Sequence, residues 1–322
     1  MKIIAIGNAI VDILSQIDDK FLVKKKLTKG SMSLIDEETA NDLTQIKITK
    51  IDSGGSAANT ISTIAQLGID SGFIGKVCND EFGKEFINKI KKNNVNFLSN
   101  KYHNQNTAKS FILVTPDAQR TMCTYLGCAS EIKNEDIDEE YFHNTQILYL
   151  EGYLWDKPQT IDALKKSIQI AKNKKIKIAF TASDIFCVKR HKQDFLELLN
   201  EIDILFANEA EFLELCGNTK FNNEDSLKFF NKFNELTVAI TLGAKGCVVI
   251  ENGNLSSYKP QHVLNLIDST GAGDAFAAGF LYKILNKENT ANAAQFGNLL
   301  AAKIIQKFGA RFEESEIKQF KF

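Results

Sequence analysis

Seven short aliphatic runs, KIIAIG (2–7), FIGKV (73–77), QILYL (146–150), KIKIAF (175–180), DILFA (203–207), TVAITL (237–242) and CVVIE (247–251), recur along the chain, most with helical patterns between them. Each run suits a strand buried on both faces and is too short for a helix. Strands separated by ten or more helical residues are joined by crossovers, so they lie parallel and helices cover both faces of their sheet. The spacing therefore predicts an α/β fold with a doubly wound, mostly parallel central sheet. The 322 residues suffice for two domains or for one large α/β domain carrying an insertion.

Two stretches interrupt the alternation. Residues 13–52 carry little helical pattern at SMSLID (31–36), and TAKSFILVTPDAQRTMCTYLG (107–127) reads as a β-hairpin turning at Thr115, Pro116, Asp117 and Ala118. Strands inserted at two separated points, approximately 13–52 and 100–127, predict a small sheet over the mouth of a single domain spanning 1–322. Such a sheet would be a lid.

The chemistry concentrates in DSTGAGDAFAAGF (268–280), where a glycine turn opens into an apolar helix. Gly271 and Gly273 let the backbone fold tightly, so that successive amide N–H groups can converge on one anion. The helix adds the positive end of its dipole at the same point. Asp274 stands at the mouth of that turn. A carboxylate is unfavourable beside bound phosphate unless it takes a proton, so the combination points to phosphoryl transfer to a hydroxyl.

Other segments carry two readings each. In SGGSAANT (53–60), Gly54 and Gly55 would let a sugar approach the backbone and Asn59 offers one acceptor and two donors to its hydroxyls. The same residues also suit a tight strand-to-helix turn. GNAIVDI (7–13) places Asn8 and Asp12 at the end of the first strand, where ligands collect in open parallel sheets. An ionised Asp12 there can accept from both hydroxyls of a vicinal diol, or can merely end a strand. In NEAE (208–211), Asn208 and Glu211 suit either Mg²⁺ held through water or a helix start. TLGAKG (241–246) joins two strands through Gly243 and Gly246, as a phosphate-side turn or a plain hairpin.

Several classes lose support. A formal net charge of −1 gives no electrostatic reason to expect nucleic acid or an acidic membrane as partner. No run reaches the roughly 18 apolar residues of a membrane helix, and MKIIAIGNAIVDIL, interrupted by Asn8 and Asp12, reads as a core strand rather than a signal peptide. Six cysteines without a CxxC pair read as buried thiols in a reducing compartment. Small-molecule partners, a cytoplasmic location and a monomer or homodimer are expected. The chain has no GxxxxGK[ST] P-loop, no HRD and DFG set and no GxGxxG fingerprint. His103, His143, His191 and His262 show no ligand spacing.

Together the two glycine clusters resemble, in order and position, the two signatures of the PfkB-type carbohydrate kinase (ribokinase-like) family, and the resemblance covers essentially the whole chain. GNAIVDI, DDKFLVKKKL (18–27), RTMCTYLG (120–127), LEGYLWD (150–156) and SDIFCVKRHKQDFL (183–196) are most similar to its adenosine kinase branch. The resemblance implies ATP and Mg²⁺ as cofactors, with transfer of the γ-phosphate to a primary hydroxyl. It implies Asp274 as catalytic base, with the amides of Gly271, Ala272 and Gly273 as the anion hole. Asp12, Gly55 and Asn59 would hold ribose hydroxyls, and Asn208 with Glu211 matches an NxxE metal and phosphate motif. Thr241, Gly243 and Asn298 fall at the ATP site, Arg120 near the transferred phosphate, and Asp268 with Thr270 at positions that help bind a monovalent cation, K⁺, in some members. Leu34, Tyr153 and Leu154 lie where side chains would sandwich a purine, or are ordinary core residues. Ser269 stands where the family usually has threonine, which keeps the hydroxyl.

Overall fold

The apolar runs pair as their spacing predicts. The computed structural model describes residues 1–99, 105–117, 119–233 and 235–320; Ala118 of the hairpin turn and residues 100–104, which include His103, lie outside the described residues. In chain order the strands are β1 (Ile3–Ile6), β2 (Ile10–Gln16), β3 (Met32–Leu34), β4 (Lys50–Gly54), β5 (Ser71–Ile74), β6 (Val95–Phe97), β7 (Ala108–Val114), β8 (Arg120–Tyr125), β9 (Ile147–Glu151), β10 (Lys177–Thr181), β11 (Ile204–Asn208), β12 (Thr237–Thr241), β13 (Cys247–Glu251) and β14 (Asn254–Tyr258). Nine form the central sheet in the order β14-β13-β12-β11-β10-β9-β1-β5-β6. It is parallel from β12 to β6, and only β13 runs against its neighbours.

Alternate residues of each strand enter different layers, as a period of two requires. Ile3 and Ala5 pack with Phe73, Tyr149, Phe206 and the helix residues Phe276 and Phe280 on one face. Ile4 and Ile6 pack with Leu148, Leu150, Trp155 and Phe180 on the other. Helices therefore cover both faces. The sequence pattern missed β6, three residues long, and β14, whose NLSSY is largely exposed and polar. It also placed the second run too far along. Strand β5 ends at Ile74, because Gly75 turns out of the sheet and its N–H donates to Ser99 Oγ at 3.2 Å.

The second sheet has the order β3-β8-β7-β2-β4. The expected hairpin forms, with β7 and β8 antiparallel from Lys109 opposite Tyr125 to Val114 opposite Arg120. Strands from the first inserted segment flank it on both sides. That segment begins earlier than residue 13, since β2 starts at Ile10 only a few residues after β1. Asp12 is consequently not at the end of the first strand. It lies inside β2, directly opposite Asp52 of β4.

Candidate active site

The order of strands locates the site. Strand β1 lies between β9 and β5; the chain builds outward through β5 and β6 on one side and through β9 to β12 on the other. Ligands of doubly wound sheets bind outside the carboxyl ends of the strands at such a reversal. Here Glu151, the last residue of β9, bridges the two sides. Its Oε1 accepts from the backbone N–H of Asn8 at 2.7 Å, and its Oε2 from that of Ala57 at 2.7 Å. Glu151 is fully buried. Burial pushes its carboxyl up to about 7, against the two backbone hydrogen bonds. The motif reading did not single out Glu151; a charged residue directly ending the apolar run ILYL was the available signal.

Through Ala57, Glu151 anchors the N-terminus of the helix Ser56–Gln66, whose cap is Gly55. Gly55 has φ +96°, and a Cβ there would overlap the carbonyl oxygen of Asn8, so the turn requires glycine. From the first turn of this helix Ser56 Oγ donates to Asp274 Oδ1 at 2.6 Å, and Asn59 Nδ2 donates to Asp274 Oδ2 at 2.8 Å. The second glycine cluster is thereby joined to the catalytic candidate. Asn59 Oδ1 and Asn8 Oδ1 are buried and have no partner among the described residues, leaving two acceptors suited to hydroxyl donors.

Asp274 sits in the first turn of the helix Ala272–Leu285, which starts from Gly271 in the left-handed region at φ +77°. A Cβ on Gly271 would come within 2.5 Å of Ala310 Cβ, whereas one on Gly273 would meet nothing within 4 Å. The backbone at 273 thus faces open space at a helix N-terminus. Asp274 is half-buried. Burial raises its pKa, while the hydrogen bonds from Ser56 and Asn59 and the guanidinium of Arg311 hold it down.

Asp12, on β2, lies within electrostatic reach of Asp274. Its carboxylate lies over Gly54, where any side chain would overlap it. Burial pushes it up to about 7; Arg311 opposes the shift and the carboxylates of Asp52 and Asp274 add to it. Arg311 was not foreseen, because a lone arginine in FGARFEE carries no motif. It is 7% exposed, and none of its three guanidinium nitrogens has a hydrogen-bond partner among the described residues.

Arg120 and the candidate cation residues Asp268 and Thr270 meet in one cluster. Arg120, at the start of β8, forms an ion pair with Asp268 through Nη1 and Oδ2, and its Nη1 donates to Thr270 Oγ1 at 3.2 Å. Asp268 also accepts from the N–H of Thr270 at 3.0 Å and of Gly309 at 2.8 Å. The guanidinium of Arg120 thus supplies a positive charge at Asp268 and Thr270. The small sheet is tied to the segment leading into the glycine turn by the same pair.

Further along the carboxyl edge, Asn208 ending β11 is in register with Thr241 ending β12. Asn208 and Glu211 form a reciprocal capping box on the helix Glu209–Cys216: Asn208 Oδ1 accepts from Glu211 N at 2.9 Å and Glu211 Oε2 from Asn208 N at 2.9 Å. This is the helix-start reading. Glu211 is nevertheless 5% exposed and pushed up to about 7 by burial, with Asp184 and Asp274 adding to the shift. Acidic groups in electrostatic reach of one another suit a Mg²⁺ ion that takes few protein ligands and keeps its waters. No cluster of three or more His, Cys, Asp or Glu side chains set to hold a metal occurs among the described residues.

The TLGAKG segment joins β12 to the antiparallel β13, so its hairpin reading holds, and Gly243 and Gly246 both have positive φ. Asn298 is buried and donates from Nδ2 to the carbonyl oxygen of Lys259 at 3.0 Å, fixing the chain beyond β14. The purine-pocket candidates differ in their burial. Leu34 is 61% exposed on the edge strand β3, and Leu154 belongs to the core beneath the sheet. Tyr153 is half-buried, with its N–H donating to Ser183 Oγ at 3.2 Å.

Comparison with known proteins identifies relatives of the whole chain. The chain is similar over 99% of its length, and 99% of the other chain, to the crystal structure of adenosine kinase from Sinorhizobium meliloti, at 34% identity and a TM-score of 0.88. It is 26% identical to adenosine kinase of Saccharomyces cerevisiae over 99% of both chains. It is 28% identical to 5-dehydro-2-deoxygluconokinase of Clostridium beijerinckii over 78% of both. The profile of the pfkB family carbohydrate kinases matches residues 28–317, and the chain belongs to that family.

Proposed function

We propose that the protein transfers the γ-phosphate of ATP to the 5′-hydroxyl of a ribonucleoside, converting adenosine to AMP. The observation that carries this reading is Asp274: a carboxylate whose two oxygens are held by Ser56 and Asn59, one residue beyond the open backbone of Gly273. The similarity to adenosine kinases over 99% of the chain supports the nucleoside.

In this mechanism Asp12, Asn8 and Asn59 accept hydrogen bonds from ribose hydroxyls, and Gly54 and Gly55 let the sugar lie against the backbone. Asp274 takes the proton of the primary hydroxyl as its oxygen bonds to the γ-phosphorus and the bond from that phosphorus to the ADP oxygen breaks. The amides of Gly271, Ala272 and Gly273 stabilise the phosphoryl oxygens. Thr241, Gly243, Gly246 and Asn298 line the ATP side, and the small sheet, latched by Arg120 and Asp268, closes over the reaction and excludes water. Asn208 and Glu211 would hold Mg²⁺ through water; the ion, when bound, supplies charge neutralisation on the phosphates. A cytoplasmic location is part of the same reading; among the described residues no helix is long and apolar enough to cross a membrane.

One observation favours a second reading. Leu154 is packed in the core and not free to stack on a base, and a sugar acceptor would need no such stack. Phosphate acceptance from ATP by adenosine, inosine, guanosine, ribose and keto-sugars, measured side by side as ADP release, tests the choice. Adenosine as the best acceptor upholds the proposal; preference for a free sugar overturns it.

A further inference from the structure

Arg311 is a charged side chain without a described role. It belongs to the segment that follows the helix Thr290–Ile304, and its neighbour Ala310 packs against Gly271 of the catalytic turn. Its guanidinium is buried yet has no hydrogen-bond partner among the described residues. The acidic groups that face it are Asp52 and Asp12 from the small sheet and Asp274 from the helix Ala272–Leu285. Asp12 and Asp52 stand directly opposite each other on β2 and β4, an arrangement that is unfavourable for two like charges unless a cation is near. Asp52 has Lys50 at 3.2 Å, and among the described residues Asp12 has no such ion pair.

We infer that Arg311 is a positioning residue of the acceptor pocket, the shared counter-charge that keeps Asp12 and Asp274 ionised together when the small sheet lies over the catalytic turn. It acts through these two carboxylates rather than on the transferred phosphate. The surrounding charges support this role. Asp12 is faced by Arg311, Asp52, Asp274 and the more distant Arg120, and burial alone would protonate it near neutrality. Asp274 is faced by Arg311 and by the donors Ser56 and Asn59, and Glu151 senses it from β9. Arg120 is committed to Asp268, which leaves Arg311 as the unpaired cation among these groups.

The inference rests on the kinase reading but not on the identity of the acceptor. The test uses the full-length protein and whichever acceptor the wild type turns over fastest. The acid limb of kcat/KM against pH is expected to move up by about one pH unit or more in Arg311→Met, because a nearby opposite charge is lost. Arg311→Lys should restore most of that shift. Asp52→Asn, which removes a like charge from Asp12, should move the limb the opposite way. Affinity for the acceptor without ATP, measured by calorimetry, should fall in Arg311→Met and recover as pH is raised, with KM for ATP little changed. If Arg311→Met does not fold, Arg311→Lys and Asp52→Asn carry the test. An unmoved acid limb in these variants, or a loss confined to KM for ATP, overturns the inference. A wild type that turns over no acceptor instead overturns the kinase reading.

Discussion

Gly271 and Gly273 make opposite predictions although two residues apart. A methyl group added at 273 meets no atom within 4 Å, and the backbone there is helical. Gly273→Ala is therefore expected to leave stability unchanged or raise it, by at most the roughly 0.5–1 kcal/mol separating glycine from alanine in a helix. For a chain of this size that is a rise of about 1–1.5 °C in Tm. The same methyl occupies the space through which a phosphoryl group would approach the amides. Since one such donor contributes about 10²–10³ in rate, kcat should fall by at least about tenfold. Gly271→Ala differs, because residue 271 has φ +77° and its Cβ would come within 2.5 Å of Ala310 Cβ. It should lower Tm as well as activity. Thermal melting with steady-state kinetics on both variants decides the matter. Wild-type kcat in a folded Gly273→Ala protein would refute the reasoning that this turn holds the transferred group.

Two further outcomes follow from the buried carboxylates. Glu151→Ala strips the acceptor from the buried N–H groups of Asn8 and Ala57, and should lower unfolding free energy by about 2 kcal/mol or more; an unchanged urea midpoint would show that Glu151 does not hold these elements together. Asp12, Glu151 and Glu211 each sit at about 7 in the folded protein. Between roughly pH 4.5 and 7 the folded state then keeps protons that the unfolded chain has released, so stability falls as pH rises. The ligand-free Tm is expected to be higher near about pH 5.5 than near about pH 8, and a flat or rising profile would contradict the burial of these groups.

The central sheet was legible because strands buried on both faces must be apolar throughout, and runs such as QILYL and DILFA match β9 and β11 to within a residue. Strand β2 was hidden by its neighbour. The apolar run from Ile3 continues through Ile13 with only Gly7, Asn8 and Asp12 to interrupt it, so Asp12 reads as the end of the first strand when it lies inside β2. Glycine positions were legible for a different reason, since a positive φ at Gly55 and Gly271 restricts the residue type locally. Glu151 and Arg311 were not legible in that way. Glu151 acts on residues 94 and 143 positions away, and Arg311 on three strand and helix carboxylates that only the folded chain assembles. Long-range partnership leaves no period in a sequence.

The central claim is that Asp274 is the base of a phosphoryl transfer. Asp274→Asn preserves the shape of the side chain and can keep both neighbours, accepting from Asn59 Nδ2 and donating to Ser56 Oγ, while removing the proton acceptor. At saturating ATP and acceptor, kcat of this variant should fall by at least about a hundredfold with acceptor binding retained in calorimetry. Turnover near that of the wild type would contradict the claim.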